Sequence, residues 1–553
     1  MSKNISKLSG RKGLQDNLFD KMKQVHRDIG EVASQYLVGK STILGSQQFY
    51  DFLGQEHLTQ KAWVCNGTSC LCSGNQAKVK ADLEASLGAG AVGAMTCLGR
   101  CYDADSFQFD GNNYSGGQSA DIASLNEEKA GSPGYRISCD SKSAALTSQN
   151  FVTTEQFAAA LKDLLDQSRV DVLDVIKGSG LRGRGGAGFP VGTKWDSCMR
   201  SEADKRYIVC NGDEGDPGAF SDRYLMEQQP LRVIFGLIVA GWITGAKEGV
   251  VYIRGEYPES VTVMGEVIRQ LYEQGLLGSN ILDKGIDFDL HVLAGAGAYI
   301  CGEETSLIAS IEGRRPEVDV RPPFPSEEGL YKQPTVVNNV ETLASVQSIL
   351  EMGAEAYASL GRGRSTGTKL VSLDAGFSKP GLVEVEMGVS LQHLIDEVAG
   401  GFRVPTKAIH IGGPLGGVVP ISKVDGLDID FESFTDAGFL LGHASFVCIP
   451  ESFPMVRYIQ HLFEFVRHES CGKCFPCRLG SVRGDEMFSR AITGEKSINR
   501  ELLDDLLDTM EQGSLCALGG GLTLPVRNTL QYFADELQEY FDRDMSIPAR
   551  QLS

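Results

Sequence analysis

A glycine-rich stretch from Gly178 to Trp195, GSGLRGRGGAGFPVGTKW, constrains the fold of this chain more than any other part of it. Glycine allows positive φ angles and lets a ligand approach the main chain closely. Successive amide groups in such a loop can form a concave nest for anions, to which Arg182, Arg184 and Lys194 would add positive charge. The GxGxxG string occurs twice, but it follows a helical pattern over 154–176 instead of the strand that a dinucleotide fingerprint requires. From this stretch alone, a ligand-binding loop and a flexible surface loop both remain open.

Composition narrows the class of protein. The chain has 553 residues, enough for three or four domains, and its 52 basic against 72 acidic residues give a net charge of −20. Such an acidic chain is a poor partner for nucleic acid and for acidic membrane surfaces. No apolar run reaches the roughly 18 residues of a membrane span, and the N-terminus does not read as a signal peptide. We therefore expect a cytoplasmic protein without a membrane span, whose 14 cysteines serve metal or redox chemistry rather than disulfides.

The first cysteines of the chain form two pairs. Residues 1–60 carry apolar residues at helical spacing and predict a small helical bundle. Residues 61–125 then place each pair directly after a strand-like segment, and the four cysteines are Cys65, Cys70, Cys97 and Cys101. Four thiolates on two converging loops suit a [2Fe–2S] cluster, with a zinc site or buried free thiols as the alternatives. Cys72 is a spare thiol that complicates the choice of ligands.

After a linker over 126–152, residues 153–360 alternate strands and helices in the pattern of a doubly wound α/β domain. Polar groups follow its predicted strand over 207–210, and they are Asn211, Asp213, Glu214 and Asp216. Open α/β sheets bind ligands at the carboxyl ends of their strands. These groups therefore either hold the ribose and ring atoms of a ligand or form an acidic turn.

Two further turns of this domain are rich in polar residues. A tight glycine turn precedes Glu303 and Glu304, whose carboxylates either stabilise a helix start or accept hydrogen bonds from ribose hydroxyls and repel a 2′-phosphate. A later turn contains Asn338 and Asn339 as adjacent amides. Three such turns in one α/β unit exceed the needs of a scaffold and indicate a nucleotide cofactor site.

The remaining two segments differ in their chemistry. Residues 361–450 read as a compact ββαβ unit, a spacer or docking module, and we expect no catalytic role for its glycine-rich turn over 412–417, which has no charge nearby. Residues 451–553 are helical and contain a CxxCxxC motif with a remote fourth cysteine, namely Cys471, Cys474, Cys477 and Cys516. This spacing is typical of a [4Fe–4S] cluster and unusual for zinc.

Several motifs resemble the NADH-binding flavoprotein subunit of respiratory complex I and its relatives: GRGGAGFPVGTKW, NGDEGDPGAF, GAGAYICGEET, PTVVNNVETL and SCGKCFPCR. The resemblance runs from Leu173 to the C-terminus, and the segment 1–110 resembles the thioredoxin-like [2Fe–2S] partner subunit, here fused in one chain. It implies an α/β multidomain fold with an N-terminal helical bundle, a thioredoxin-like domain, a Rossmann-like FMN/NADH domain, a ubiquitin-like ββαβ (SLBB) domain and a C-terminal four-helix bundle that carries the [4Fe–4S] cluster.

The same resemblance implies the cofactor contacts. FMN would lie among Gly183, Arg184, Gly185, Lys194, Asn211, Asp213, Glu214, Tyr299, Gly302, Glu303, Asn338, Asn339 and Thr342. NAD(H) would stack between the flavin and an aromatic ring, for which Phe189 and Phe324 are the candidates. Asp216, Glu303 and Glu304 would surround its ribose. Hydride transfer would take place at FMN without a dedicated catalytic side chain.

Fused chains of this kind occur among the diaphorase subunits of soluble NAD-linked hydrogenases and formate dehydrogenases. The motifs SCGKCFPCRLGSVRG and SLCALGG, with LGH at Leu441–His443, favour the beta subunit of a soluble NAD-dependent formate dehydrogenase. Its partner in a hetero-oligomer would be a catalytic alpha subunit with further iron–sulfur clusters and molybdenum or tungsten. The alternatives are the diaphorase subunit of an NAD-reducing hydrogenase, a complex I-like NADH dehydrogenase subunit and, from another class, a structural subunit with zinc in both cysteine quartets.

Overall fold

The computed structural model describes residues 14, 18–23, 28–36, 38–54, 57, 59–125, 134–148, 151 and 153–542. The N-terminal helices are Leu18–Met22, Ile29–Gln35 and Lys40–Gln47. Their buried side chains, such as Phe19 and Ile43, share one core with Leu293 and Ile300 of the α/β domain. The helices expected over 1–60 therefore form a layer packed on the α/β domain rather than a separate bundle, and residues 1–13 of that prediction lie outside the described residues.

The next unit is a four-stranded sheet with two helices, Thr68–Ser73 and Gln76–Leu87. Its strands, in spatial order, are Val92–Met95, Ala62–Cys65, Phe107–Phe109 and Asn112–Tyr114. The first two strands are parallel. Parallel strands end at the same edge of a sheet, so the two cysteine-bearing loops that follow them converge.

The α/β domain is built on a four-stranded parallel sheet. Its strands, in spatial order, are Asp289–Ala294, Glu248–Ile253, Tyr207–Gly212 and Thr335–Asn339. The helices around it are Thr154–Leu165, Arg169–Gly178, Val191–Arg200, Ser221–Gln228, Pro230–Thr244, Pro258–Glu273, Glu304–Ile311, Pro325–Glu328, Val340–Met352 and Ala354–Ala358. The helix Pro230–Thr244 begins with proline, ends at Gly245 in the left-handed conformation, and is buried on nearly every face. The predicted α/β class is confirmed.

A six-stranded sheet forms the next unit. In spatial order its strands are Gly417–Pro420, Thr406–Ile411, Ser445–Pro450, Thr368–Leu373, Gly381–Glu386 and Arg136–Asp140. Short helical segments at Leu391–His393, Leu394–Val398 and Phe431–Asp436 cover it. The prediction of a plain linker over 126–152 is wrong for Arg136–Asp140, because these residues pair in parallel with Gly381–Glu386. The alternation of apolar and polar residues over 136–140 is too weak to predict a strand. The strand with which it pairs also lies more than 200 residues away in sequence.

The C-terminal region is helical, as predicted. Its helices are Met455–Glu469, Phe475–Ile492, Arg500–Gly513, Ala517–Gly521, Thr523–Tyr532 and Ala534–Leu537. The second helix begins directly after Cys474, earlier than the apolar pattern alone indicates. Within the described residues, no helix is both long enough and apolar enough to span a bilayer.

A buried ion pair joins the α/β domain to the six-stranded sheet. The Lys369 ammonium contacts the Glu341 carboxylate, and both side chains are inaccessible to solvent. The backbone N–H of Leu370 donates to the other Glu341 oxygen at 3.0 Å. Breaking such a pair leaves an uncompensated buried charge, so the two domains are fixed relative to each other at this point.

Close helix packing gives a test of the fold. A Cβ on Gly236 would lie 2.1 Å from the Leu343 carbonyl oxygen of the neighbouring helix, whereas a Cβ on Gly265 would meet nothing within 4 Å. We expect Gly236→Ala to lower the free energy of unfolding by about 1–3 kcal/mol through overpacking. Gly265→Ala, also within a helix, should raise it by up to about 1 kcal/mol through helix propensity. Denaturant unfolding of both variants checks this, and equal effects would contradict the packing seen here.

Candidate functional site

The carboxyl ends of two neighbouring strands meet at one edge of the α/β sheet, and the region outside that edge is here called the crevice. Tyr207–Gly212 lies between Glu248–Ile253 and Thr335–Asn339, and chain connections lead away from it on both sides. This is the topological switch point at which open α/β sheets bind ligands. Asn211 and Asn339 are register partners there, so their polar side chains meet at the sheet edge.

The glycine-rich loop lies over this edge at close range. The backbone N–H of Arg184 donates to Thr342 Oγ1 at 2.8 Å. A Cβ on Gly185 would come within 3.0 Å of the Asn339 Cβ. A side chain at this point would crowd Asn339, because the loop rests directly on the start of the helix Val340–Met352. The loop and the asparagine turn, predicted separately from sequence, form one structure.

Arg184 is a fully buried cation in this loop. Its Nη2 donates to the Thr366 carbonyl at 2.6 Å and to the Tyr357 hydroxyl at 3.4 Å, both neutral oxygens. Its Nε and Nη1 atoms have no hydrogen-bond partner in the described part of the chain. A buried guanidinium with two unused donors calls for an anionic acceptor, and a phosphate meets that need. The site therefore fits a phosphorylated ligand.

The other two cations of the loop region are held by carboxylates. Arg182 donates to Glu432 Oε1 at 2.6 Å, in the unit of the six-stranded sheet, so the expectation that its charge serves an anion in the loop is wrong. Lys194 lies 3.3 Å from Glu304 Oε2, and Arg321 lies 2.9 Å from Glu304 Oε1. Glu304 is thus a carboxylate shared by two cations at the edge of the crevice.

Two buried carboxylate oxygens in the crevice, Asp213 Oδ2 and Glu303 Oε1, have no hydrogen-bond partner in the described residues, although Arg321 Nη2 lies 3.8 Å from Glu303 Oε1. Glu303 uses its other oxygen to cap a helix, accepting the N–H groups of Thr305 and Ser306 at 3.0 Å each. Burial raises the pKa of Asp213 well above its usual range. Buried polar atoms are normally hydrogen-bonded, so both oxygens suit a ligand that supplies N–H or O–H donors.

The asparagines of the floor are oriented by fixed partners. Asn211 Nδ2 donates to the Gly302 carbonyl at 2.9 Å, which ties two of the predicted turns together. Asn338 Oδ1 accepts from Trp195 Nε1 at 2.7 Å. Trp195 is a supporting residue that sequence reasoning missed, although it closes the GTKW motif.

Glu214 is buried and Asp216 is half-buried, and other groups of the protein engage both carboxylates. The Glu214 carboxylate accepts the backbone N–H groups of Asp222 and Arg223 at 2.9 and 3.0 Å, and burial together with the Asp222 charge raises its pKa to about 7. Asp216 Oδ1 accepts the Tyr299 hydroxyl at 2.7 Å. The structure therefore gives Glu214 an anchoring position and couples Asp216 to the turn that bears Tyr299.

The glycine turn over 412–417 reaches this site. A Cβ on Gly413 would lie 2.4 Å from Asp216 Cγ, so only glycine fits there. The expectation that this turn lies away from charge is therefore wrong, because folding brings a carboxylate against it. Asp216 and Gly413 lie almost 200 residues apart in sequence, so no local pattern predicts their contact.

Two aromatic side chains are predicted to stack on a planar ligand. The Phe189 ring is 52% exposed and the Phe324 ring is 51% exposed. The Phe189 carbonyl accepts the N–H of Gly183 at 2.9 Å, which closes the glycine-rich loop. Both rings remain accessible to an incoming planar group, as stacking requires.

The C-terminal cysteines converge beside the crevice. Cys474 caps the helix Phe475–Ile492 and Cys477 lies in its first turn. Burial and, more weakly, the neighbouring Cys477 thiol and the Glu303 carboxylate raise the pKa of Cys516 to about 12. A Cβ on Gly519 would lie 2.6 Å from the Cys477 Cβ, which shows how closely the two cysteine segments pack. Four convergent thiols are the donor set of an iron–sulfur cluster.

The N-terminal cysteines also converge. Cys97 Sγ and Cys101 Sγ are 3.6 Å apart, and the N–H of Gly218, in the polar loop of the α/β domain, donates to Cys101 Sγ at 3.2 Å. The Cys97 thiol, burial and the nearby Cys70 and Cys65 thiols all raise the pKa of Cys101. The four predicted ligands are therefore one group, in contact with the floor of the crevice.

Cys72 is separated from that group. It lies instead near Cys448 and Asp374, along a cavity of about 770 Å³ between the N-terminal sheet unit and the six-stranded sheet. The ambiguity that this spare thiol created in the sequence is resolved by the helix Thr68–Ser73, which turns Cys70 and Cys72 in different directions.

Two sequence-family models match this chain. Residues 176–348 match the Nuo51 FMN-binding domain, which is the flavoprotein domain of complex I. Residues 457–540 match the iron–sulfur binding region of NADH-ubiquinone oxidoreductase F. The first span contains the crevice and the second contains all four C-terminal cysteines.

Curated relatives and a solved structure point to the same family as the two family models. The F 2 subunit of the NADH-quinone oxidoreductase of Rhizobium meliloti is 41% identical over 390 residues, which cover 70% of this chain and 92% of that protein. The HndC subunit of the NADP-reducing hydrogenase of Solidesulfovibrio fructosivorans is 41% identical over 393 residues, which cover 70% of this chain and 79% of that protein. A crystal structure of an NAD⁺-reducing [NiFe]-hydrogenase in the air-oxidised state aligns with a TM-score of 0.84 at 26% identity, over 96% of this chain and 94% of that one.

The chain belongs to the complex I flavoprotein (Nuo51) family. The predicted resemblance is thereby confirmed, and with it the broad activity of an NADH-linked flavin and iron–sulfur electron-transfer subunit. The solved relative also aligns over the N-terminal units, which the two family models do not reach.

Proposed function

We propose that this chain is the NAD-reducing diaphorase subunit of a soluble formate dehydrogenase, with FMN in the crevice, a [4Fe–4S] cluster on the C-terminal cysteines and a [2Fe–2S] cluster on the N-terminal ones. The observation that carries the flavin site is Arg184, a buried cation with two unused donors in a glycine-rich loop. A flavin mononucleotide brings the phosphate that such a group lacks.

The crevice residues divide into two sets in this proposal. The phosphate and ribityl chain of FMN would be held at Gly183, Arg184, Gly185, Asn339 and Thr342. The ring edges would be held by Lys194, Asn211, Asp213, Gly302, Glu303 and Asn338, and Tyr299 and Glu214 would fix the turns that carry them. Bound FMN supplies the conversion between a two-electron hydride and single electrons. The protein excludes water and orients donors, and no side chain has to transfer a proton.

The two cysteine quartets flank the crevice. Cys516 is within electrostatic range of Glu303, and Cys101 accepts a hydrogen bond from Gly218. We place the C-terminal quartet on the path to the partner subunit, because its surroundings are more exposed. The N-terminal quartet is buried by both neighbouring domains and would serve as a side store of electrons.

Several large apolar side chains are exposed beside the C-terminal quartet in sequence. Phe475, Leu479, Val482 and Leu515 are among the most exposed large apolar side chains of the described residues, at 67%, 57%, 46% and 41% exposure. They border Cys474, Cys477 and Cys516 in sequence. Such a patch marks a protein interface, and we assign it to the catalytic alpha subunit. Because one relative and the solved structure are named for hydrogenases, a hydrogenase assembly is the second candidate partner.

A cysteine pair tests the cluster assignments. We expect Cys70→Ser to abolish the [2Fe–2S] signal in electron paramagnetic resonance, because a thiolate ligand is lost. Cys72→Ser, two residues away, should leave that signal and the iron content unchanged. Metal analysis and flavin release on denaturation complete the measurement. Zinc without iron, or no released flavin, would favour the structural subunit with zinc in both quartets.

Cofactor choice gives a second test. With an artificial dye as electron acceptor, we expect kcat/KM for NADH to exceed that for NADPH by roughly 10–100-fold, where each tenfold corresponds to about 1.4 kcal/mol. The reason is that Asp216, Glu303 and Glu304 would repel the 2′-phosphate of NADPH. Glu304→Gln should narrow this ratio by about tenfold, because Lys194 and Arg321 are then free to meet that phosphate. Glu328→Gln, on the exposed short helix nearby, is the control and should leave the ratio unchanged. Equal kcat/KM values in the wild-type chain would refute the carboxylate argument.

The physiological partner is tested on the native complex. We expect NAD⁺ reduction with formate and not with hydrogen, together with molybdenum or tungsten. Leu479→Glu should reduce recovery of the assembled complex, because it places a charge in the apolar patch. Leu44→Glu, at a comparably exposed leucine far from the cysteines in sequence, should assemble normally. Hydrogen-driven reduction with nickel and no formate activity would make the hydrogenase the correct assembly.

A further inference from the structure

His443 is a buried histidine that the six-stranded sheet unit inserts into the α/β domain. It lies just before the strand Ser445–Pro450, in a turn whose Gly442 and Ala444 both have positive φ angles, and it is 5% exposed. Its Nε2 is 3.1 Å from Asp222 Oδ2 and 3.8 Å from Glu214 Oε1. Its Nδ1 has no hydrogen-bond partner in the described part of the chain.

Asp222 connects this histidine to the flavin crevice. The same Asp222 Oδ2 accepts Asn339 Nδ2 at 2.6 Å. Asn339 in turn supports Gly185 of the glycine-rich loop, and a Cβ on Gly186 would lie 3.8 Å from the Gly442 backbone. His443 therefore lies behind the loop, and two hydrogen bonds, through Asp222, connect it to Asn339 of the crevice floor.

The charges around His443 are mostly negative. The groups that face it are Asp222 and Glu214 from the α/β domain, Asp216 from the loop between them and Lys369 from the adjacent strand, with Glu341 behind Lys369. Glu341 already neutralises Lys369. Burial lowers the pKa of His443, but the charge and hydrogen bond of Asp222 outweigh it and raise the pKa to about 9. The side chain is thus an imidazolium at neutral pH.

Glu214, Asp222 and His443 could also be read as a metal site, since their ligand atoms lie within 4.8 Å of one another. The oxygens of both carboxylates are already engaged, however. Glu214 accepts two backbone N–H groups, and Asp222 accepts Asn339 and His443. A cation would have to displace these donors, so the cluster is better described as an ion pair.

We propose that His443 is a positioning residue of the FMN site. As a buried cation it holds Asp222, and through it Asn339, beneath the glycine-rich loop, and it offsets carboxylates that would otherwise repel the FMN phosphate. This inference rests on the proposed binding of FMN in the crevice. It gives the six-stranded sheet unit a direct part in the affinity for FMN.

The test measures the FMN dissociation constant of the full-length apoprotein by flavin fluorescence, from about pH 6 to about pH 10. In the folded apoprotein His443 has a pKa of about 9, so its charge is present below that pH and is lost as the pH rises through about 9. Wild-type affinity should therefore fall across that upper range. His443→Gln should bind FMN roughly tenfold more weakly at neutral pH, the equivalent of about 1.4 kcal/mol, and show no such fall.

Two further variants serve as a control and as a second test of the charge on His443. His410→Gln is the control, because His410 is buried in the same sheet, bonded to Tyr458 at 2.8 Å, and burial lowers its pKa to about 4, so it carries no charge. It should leave the affinity and its pH profile unchanged. Asp222→Asn should remove the fall near pH 9 even if the His443 variant does not fold, because the histidine then loses the charge that keeps it protonated.

The failures of the two proposals are distinguishable. Wild-type protein that binds no FMN at any pH would refute the flavin site itself. Wild-type protein that binds FMN, with His443→Gln matching it in affinity and pH profile, would refute only the role of His443. Stoichiometric loss of a divalent metal in His443→Gln, found by elemental analysis, would overturn the ion-pair assignment in favour of a metal site.

Discussion

The start of the helix Val340–Met352 is the point on which the site depends. Asn339 caps this helix by accepting the Thr342 N–H at 3.1 Å, donates to Asp222 and lies against Gly185. One residue thus fixes the strand end, the helix start and the glycine-rich loop together. The loop has no regular secondary structure of its own, so its shape is set by the surface beneath it.

Ion pairs link the units of the chain. Lys369 of the six-stranded sheet pairs with Glu341 of the α/β domain, and Arg182 of the glycine-rich loop pairs with Glu432 of that sheet unit. The Lys369–Glu341 pair is fully buried, so separating it would leave an uncompensated charge, whereas the Arg182–Glu432 pair is partly exposed and constrains position more weakly. The sheet unit that reads in sequence as a spacer is therefore part of the wall around the crevice.

The two cysteine quartets approach the crevice from opposite ends of the sequence. The first contacts the polar loop through Gly218, and the second lies within electrostatic range of Glu303. Electron transfer requires this proximity, and the chain achieves it by packing its first and last units on the same α/β domain. The geometry agrees with an electron-transfer subunit of the complex I flavoprotein family.

The sequence by itself determined the α/β class, the cysteine quartets and the polar turns, because these depend on local spacing and on the strand ends that precede each motif. The tertiary structure decided how the side chains are used. Cys72 is excluded from its quartet, Arg182 is turned to Glu432, and Gly413 lies against Asp216. His443 acquires its charge only when folding surrounds it with carboxylates. These outcomes depend on contacts between residues far apart in sequence, and no local pattern encodes them.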